Sequence, residues 1–421
     1  MSELVKTGAF IGAAVVFAVA GGVVEPERRT AAVLSDQGTV FYEQFNDPQA
    51  VKTIEVIGYD EATASARPFQ VEFRKGRWVL PSHHDYPVEI GDRLLKTAGA
   101  LIDLKRDTVV SEAVSEYGRY GVIDPLDAKN PSLQGRGKRV TLRDIRKDVL
   151  AEFILGKPVE GKPGMRYVRT PSDKRVYAVK TDADPSANFA DWVKADLLRI
   201  ATPNIRRVSI LSYSIDETFG QLMNMESIVL LRENNDWKLQ TNEAFQKGPV
   251  NAMAATLDTL KIVDVRPKPP SMAAGLRSGQ LEMTLEGVTS MRQRGFFLAP
   301  TGRLLANEGE MMVETQNGVA YTLRFGEVAS GEDRYLFVTA GYDAARAAKY
   351  GDATGGGESA AKELTNRFAD WYYVIRGADF QKLRLKRRDI GLAAPPPPMM
   401  MPTRPPEGER RITLPGQEPQ R

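Results

Sequence analysis

Phe189-Ala190-Asp191-Trp192 recurs word for word as Phe368-Ala369-Asp370-Trp371. Each copy ends on one of the chain's four tryptophans, and the other two, Trp78 and Trp237, each stand in a short apolar strand ahead of an amphipathic helix. This pairing predicts an α+β fold of two tandem repeated units, each a mostly antiparallel sheet with one or two packed helices. Trp78, Phe189 and Trp192 are then the anchors of the first copy, and Trp237, Phe368 and Trp371 those of the second. A Phe and a Trp three apart share one helix face and pin it to a sheet, and an early Asp favours the helix N-terminus.

The first unit reads outward from Trp78. Strands are expected at 51–57, 69–73 and 78–80, with Arg74-Lys75-Gly76 as a turn and Pro81 as a stop. A helix is expected over 88–104, because Ile90, Leu94, Leu95, Ala98, Leu101, Ile102 and Leu104 fall on one face at a 3.6-residue period. A shorter helix at 111–125, strand over most of 140–155 and a hairpin at 165–169 and 175–179 follow. A helix from Phe189 to about residue 200 closes the unit. The second unit repeats the order, with strands at 208–213 and 227–231, the Trp237 strand and a helix at 250–263. When Trp78 is laid on Trp237, Leu94 falls on Met253, Ala98 on Leu257, Leu101 on Leu260 and Leu104 on Val263, without a gap. Further strands are expected at 281–285, 311–314, 319–325 and 335–338, then a closing helix through Phe368 and Trp371 and a strand-like 380–385. A hairpin around 296–305 and a glycine loop at 351–358 account for the greater length of the second copy.

The ends of the chain differ from its middle. Residues 8–24 (GAFIGAAVVFAVAGGVV) carry no charge. As a helix they rise roughly 25 Å, slightly under the roughly 30 Å hydrocarbon core of a bilayer. This predicts a signal anchor within 1–29, with cleavage after Ala18-Val19-Ala20 as the competing reading. The expected location is the cytoplasmic membrane, single-pass, with the bulk outside the cytoplasm. The expected domains are 1–29 as anchor, 30–204 and 205–391 as the two units, and 392–421 as a Pro-rich disordered tail, whose composition cannot repay ordering entropy. A formal charge of +3 leaves no nucleic-acid footprint, and Lys386-Arg387-Arg388 and Arg410-Arg411 read as solvated faces. The chain has no cysteine, which excludes disulfides, thiolate nucleophiles and cysteine-held metals.

Candidate chemistry is sparse. Gly156-Lys157-Pro158-Val159-Glu160-Gly161-Lys162 has the spacing of a phosphate loop, but Pro163 stands where that loop needs a hydroxyl and no helix follows, so a hairpin connection is expected. His83 and His84, the only histidines, sit with Asp85 between Pro81 and Pro87 in an expected loop. Adjacent residues in extended chain point apart, which is unsuited to gripping one metal. Asp182 with Asp184 and Glu308 with Glu310 are the carboxylate pairs to test for acid–base work. No catalytic, cofactor-binding or metal-binding residue is assigned, and no cofactor is expected.

Several stretches resemble a bacterial family, the domain-of-unknown-function 4340 family. They are Gly76-Arg77-Trp78-Val79-Leu80-Pro81, Glu116-Tyr117-Gly118 with Val122-Ile123-Asp124-Pro125, Phe153-Ile154-Leu155-Gly156-Lys157, Arg166-Tyr167-Val168-Arg169, Val176-Tyr177-Ala178-Val179 and Phe189-Ala190-Asp191-Trp192. They span about 71–200, with weaker agreement through the second copy. Gly121-Val122 stands where the pattern has Gly-Leu, and the tail lies outside it. The resemblance implies anchored extracytoplasmic proteins associated with auxiliary parts of gliding-type ABC transport systems, and it carries over no catalytic residue. The expected function is a non-enzymatic accessory or scaffold, held to the membrane by its N-terminal helix and joined to protein partners in a transport or envelope complex. The alternatives are a solute-, glycan- or peptide-binding module using the cleft between the units, and a hydrolase using paired carboxylates.

Overall fold

The computed structural model describes residues 36–393, apart from 89–90, 217–220, 281–283, 300–301 and 352–354. The expected anchor at 1–29 and all but the first two residues of the expected tail lie outside the described residues. Among the described residues no helix is long and apolar enough to cross a membrane. The fold is α+β with mostly antiparallel sheets. By contacts the chain forms two compact units. Of the described residues, one comprises 36–197, Lys261–Pro267 and Trp371–Ile375, the other Leu198–Leu260, Lys268–Asp370 and 376–393.

In the first unit the elements are β1 (Thr53–Asp60), β2 (Ser65–Arg74), β3 (Arg77–Leu80), β4 (Tyr86–Pro87), helix α1 (Gly91–Ile102), β5 (Thr108–Ser111), the single turn α2 (Tyr117–Tyr120), β6 (Lys138–Arg143), β7 (Val149–Pro158), β8 (Met165–Arg169) and β9 (Val176–Lys180). The sheet order is β4-β3-β2-β1-β6-β7-β8-β9-β5, antiparallel throughout. Ile54, Val56, Val71, Val140, Leu142 and Phe153 are fully buried, and Ala98, Leu101 and Leu104 are buried too. The expected helix face therefore does meet a core.

The second half of the chain supplies β10 (Ile205–Asp216), β11 (Gln221–Glu233), β12 (Asp236–Leu239), α3 (Lys247–Thr259), β13 (Ile262–Pro267), α4 (Pro270–Ser278), α5 (Leu285–Arg292), the hairpin β14 (Phe296–Leu298) and β15 (Leu304–Ala306), β16 (Glu310–Thr315), β17 (Val319–Ser330), β18 (Asp333–Tyr342), α6 (Ala344–Lys349), α7 (Gly357–Ala369), β19 (Trp371–Ile375) and α8 (Gly377–Leu383). Within the second unit the strands run β12-β11-β10-β16-β17-β18, again antiparallel. That order matches β3-β2-β1-β6-β7-β8 strand for strand. In both halves the amphipathic helix leads to a strand, β5 or β13, that pairs antiparallel with the last strand of its series, β9 or β19.

The hairpins before the two Trp strands are built alike. Phe73 faces Trp78 and Arg232 faces Trp237, five residues apart in each case. The two turn residues have positive φ in both, Lys75 (+50°) with Gly76 (+80°) and Asn234 (+50°) with Asn235 (+63°). Two left-handed residues between twisted strands are the requirement of a type I′ turn, which Gly and Asn meet at least cost.

The repeated tetrapeptide behaves differently. The helix expected from Phe189 to about residue 200 is a single 3₁₀ turn, Phe189–Asp191. Val193, Ala195, Leu197, Leu198 and Ile200 are all buried, which leaves no polar face for a surface helix. The backbone after the turn finds partners elsewhere: Ile262 N donates to Ala195 O at 3.0 Å, and Asp196 bridges Lys261. In the second copy α7 ends at Ala369, and Trp371 opens strand β19. Tyr372, Tyr373, Val374 and Ile375 are buried, and such an aromatic and β-branched run is a strand interior. Neither copy places its Phe and Trp on one helix face. The strand-like 380–385 is mostly helix α8, and Leu285, expected to end a strand, begins α5 with Thr284 as N-cap.

Candidate functional site

Four of the six stretches that carry the family resemblance meet in one buried cluster of the first unit. Tyr117, Tyr120, Val122, Ile123, Ile154 and Val176 form a buried cluster, with Val110 and Tyr167 packed against it. Gly121, at φ +70°, ends α2 and turns the chain onto the sheet. Ile123 N then donates to Gly135 O (3.2 Å), and Gly137 N to Ile123 O (2.8 Å). The approach is so close that a Cβ on Gly156 would lie 2.5 Å from Tyr120 O. Only glycine admits that contact.

Cations hold this lid in place. Arg169 is 6 % exposed and lies 4.5 Å over the Tyr117 ring. It donates to the carbonyls of Thr170 and Asp173 (3.2 Å each) and of Val122 (3.4 Å). Burial pushes its guanidinium below the usual arginine value. Arg136 ties the following loop by donating to the carbonyls of Asp124, Asp127, Asn130 and Ser132. Arg139 joins Asp124 and Glu152, each at 2.7 Å. Beside the lid is an open cavity of about 410 Å³ whose rim includes Lys138, Lys157, Arg166 and Asp184. Asp184 accepts from Lys138 (2.6 Å) and Arg166 (3.2 Å). Arg136, Arg139, Arg169, Lys138, Arg166 and Asp184 are spent on holding backbone and on each other, so the arrangement fixes a surface.

The tryptophans and their partners fall in different places. Trp192 is buried against Phe69 (6.2 Å), and its indole N–H donates to Ser186 O (2.9 Å). Phe189 stacks on the His83 ring (4.6 Å) and lies 5.6 Å from Tyr86. Trp371 meets Tyr86 edge-on (4.9 Å). Phe189, Trp192 and Trp371 therefore join one aromatic group of the first unit. Phe368 is buried in the second unit, where its carbonyl accepts from Lys268 Nζ (2.7 Å). Trp78 is half-buried against Phe73 (5.7 Å), while Trp237 is buried under the Arg232 guanidinium (5.5 Å).

His83 accepts or donates at Nδ1 with Ser82 Oγ (2.9 Å), and its Nε2 lies 3.8 Å from Asp264. This is too long for a hydrogen bond that would orient a catalytic base, and Asp264 is drawn to Arg266 at 2.5 Å. Burial lowers the His83 pKa, opposed by Asp264 and aided by Arg266. His84 has a left-handed backbone conformation (φ +59°). Among the described residues no group of three or more His, Asp or Glu is placed to hold a metal. Of the two carboxylate pairs, Glu308 and Glu310 are separately neutralised, Glu308 by Arg384 (2.9 Å) and Glu310 by Arg303 and Arg324, while in the other Asp184 is held by Lys138 and Arg166. The phosphate-loop spelling is the β7–β8 connection, with Val159 N donating to Met165 O (2.9 Å).

Two buried cations have no signal in the sequence. Arg169 stands in a quoted motif, but nothing there indicates burial. Lys268 lies among Pro267, Pro269 and Pro270, is 4 % exposed, and sits 4.0 Å over the Phe337 ring.

Residues 78–279 match the family model described as "Domain of unknown function (DUF4340)". The matched stretch opens on Trp78, takes in Trp237 and supports the domain-of-unknown-function 4340 family. No curated protein and no solved structure matches the chain.

Proposed function

We propose that this chain is a non-enzymatic accessory or scaffold protein, anchored by residues 8–24 with its two units outside the cytoplasmic membrane, serving a transport or envelope complex. We further propose that its two halves descend from one copied module. The observation that carries the reading is the strand order shared by β3-β2-β1-β6-β7-β8 and β12-β11-β10-β16-β17-β18. A doubled frame presents two related surfaces, which suits assembly. The use of charge supports the same reading: Arg139, Arg169 and Arg136 brace loops, and Glu308 and Glu310 are held by arginines. Crosslinking and pull-down from native membranes tests it, with an anchor-deleted chain as control. A defined set of membrane partners that is lost without the anchor is the expected result. Turnover of a substrate by the purified soluble portion overturns the reading.

A further inference from the structure

The second unit contains a cavity of about 370 Å³ lined by Arg199, Ile200, Asn204, Gln316, Asn317 and Tyr321, with Ala201 and Thr315 completing the wall. That volume lies in the ordinary range for small-molecule sites. Its shape comes from two turns. The 3₁₀ turn Thr202–Asn204 is tied to the β16–β17 hairpin, since Gln316 N donates to Asn204 O (2.8 Å) and Arg206 donates to the Gln316 side chain. Within the hairpin, Asn317 Oδ1 accepts from Thr315 Oγ1 (2.7 Å) and Val319 N (3.4 Å). The amide is thereby fixed with its NH₂ group unused.

Three of the lining residues carry a polar group without a hydrogen-bond partner among the described residues: the Asn317 NH₂, the Asn204 side-chain amide and the Tyr321 hydroxyl. Tyr321 is half-buried and offers a ring as well. Arg199 on the wall has φ +51°, a left-handed conformation that a non-glycine residue adopts at a cost, and such strain concentrates at binding sites.

The lining selects a class of ligand. It contains no acid, which leaves a cation without a counter-charge. Its one cation, Arg199, already has a partner. β16 and β17 are each paired on both sides, so no free ladder faces the cavity to receive a peptide strand. Neutral donors and acceptors beside one aromatic ring match the hydroxyls and apolar face of a sugar. We propose that this cavity binds a neutral saccharide about two rings long, with Asn204, Asn317 and Tyr321 making the hydrogen bonds.

Calorimetric titration of the full chain with cellobiose, maltose and N,N′-diacetylchitobiose tests this, with trialanine and inorganic phosphate as the other arms. At least one disaccharide is expected to bind saturably, one per chain. Asn204→Ala and Tyr321→Phe are each expected to weaken it by about three- to tenfold, the loss of one neutral hydrogen bond. Asn204 is exposed, so its variant should keep the parent Tm. Binding that both variants leave unchanged, binding of trialanine or phosphate in place of any disaccharide, or no saturable binding overturns the proposal.

Discussion

Lys268 is a fully buried amine whose Nζ donates to the last turn of α7 at Phe368 O, 2.7 Å away. Burial lowers its pKa from 10.5 to about 7, with the charge of Asp370 opposing the shift. Between those values the folded chain binds fewer protons than the unfolded chain, so stability rises with pH from about 7 to about 10.5. The gain is at most about 5 kcal/mol. Tyr350, raised to about 12 by burial and by Glu314, works in the opposite sense above pH 10. Urea unfolding at pH 7, 8.5 and 10 should therefore show rising stability, and Lys268→Met should flatten the rise. An equal slope in both proteins refutes the assignment. The glycines under the lid give a second residue-scale expectation. Gly156→Ala brings a Cβ to 2.5 Å from Tyr120 O and 2.7 Å from Val122 Cγ1 and should cost about 1–3 kcal/mol. Gly58→Ala, which meets nothing within 4 Å, should be near neutral by the same denaturation. The sequence pattern located Gly156 in a motif but not the backbone it admits, because that backbone comes from a stretch far along the chain.

At the scale of elements, what was local was legible. The two Trp strands, their two-residue turns and the helices α1 and α3 follow from hydrophobic period and turn chemistry. The repeated tetrapeptide was not, because its conformation is set by distant partners: Lys261 and Ile262 for the first copy, the strand β13 for the second. Four identical residues thus sit in a 3₁₀ turn in one place and across a helix–strand junction in the other. The consequence is unequal energetics. Trp192→Ala, at a site 1 % exposed, should cost about 3–5 kcal/mol. Trp371→Ala, at a half-buried site, should cost about 1–2 kcal/mol. Equal shifts in the denaturation midpoint contradict this account of the two copies.

At the scale of the whole molecule, the candidate saccharide cavity was illegible from sequence. Asn204, Asn317 and Tyr321 lie in separate stretches that carry no motif, and only the pairing of two turns brings them together. The uncharged stretch at 8–24, by contrast, is read from composition alone, and with the doubled strand order it is the ground for the proposal that the protein acts by holding others at a membrane. The pull-down from native membranes, read as the mass of the complex in mild detergent, tests that claim most directly. The full chain should run in a discrete assembly well above its own 46.5 kDa, with subunits identifiable by mass spectrometry, and the anchor-deleted chain should run alone. A full chain that leaves the membrane alone at its own mass would contradict it.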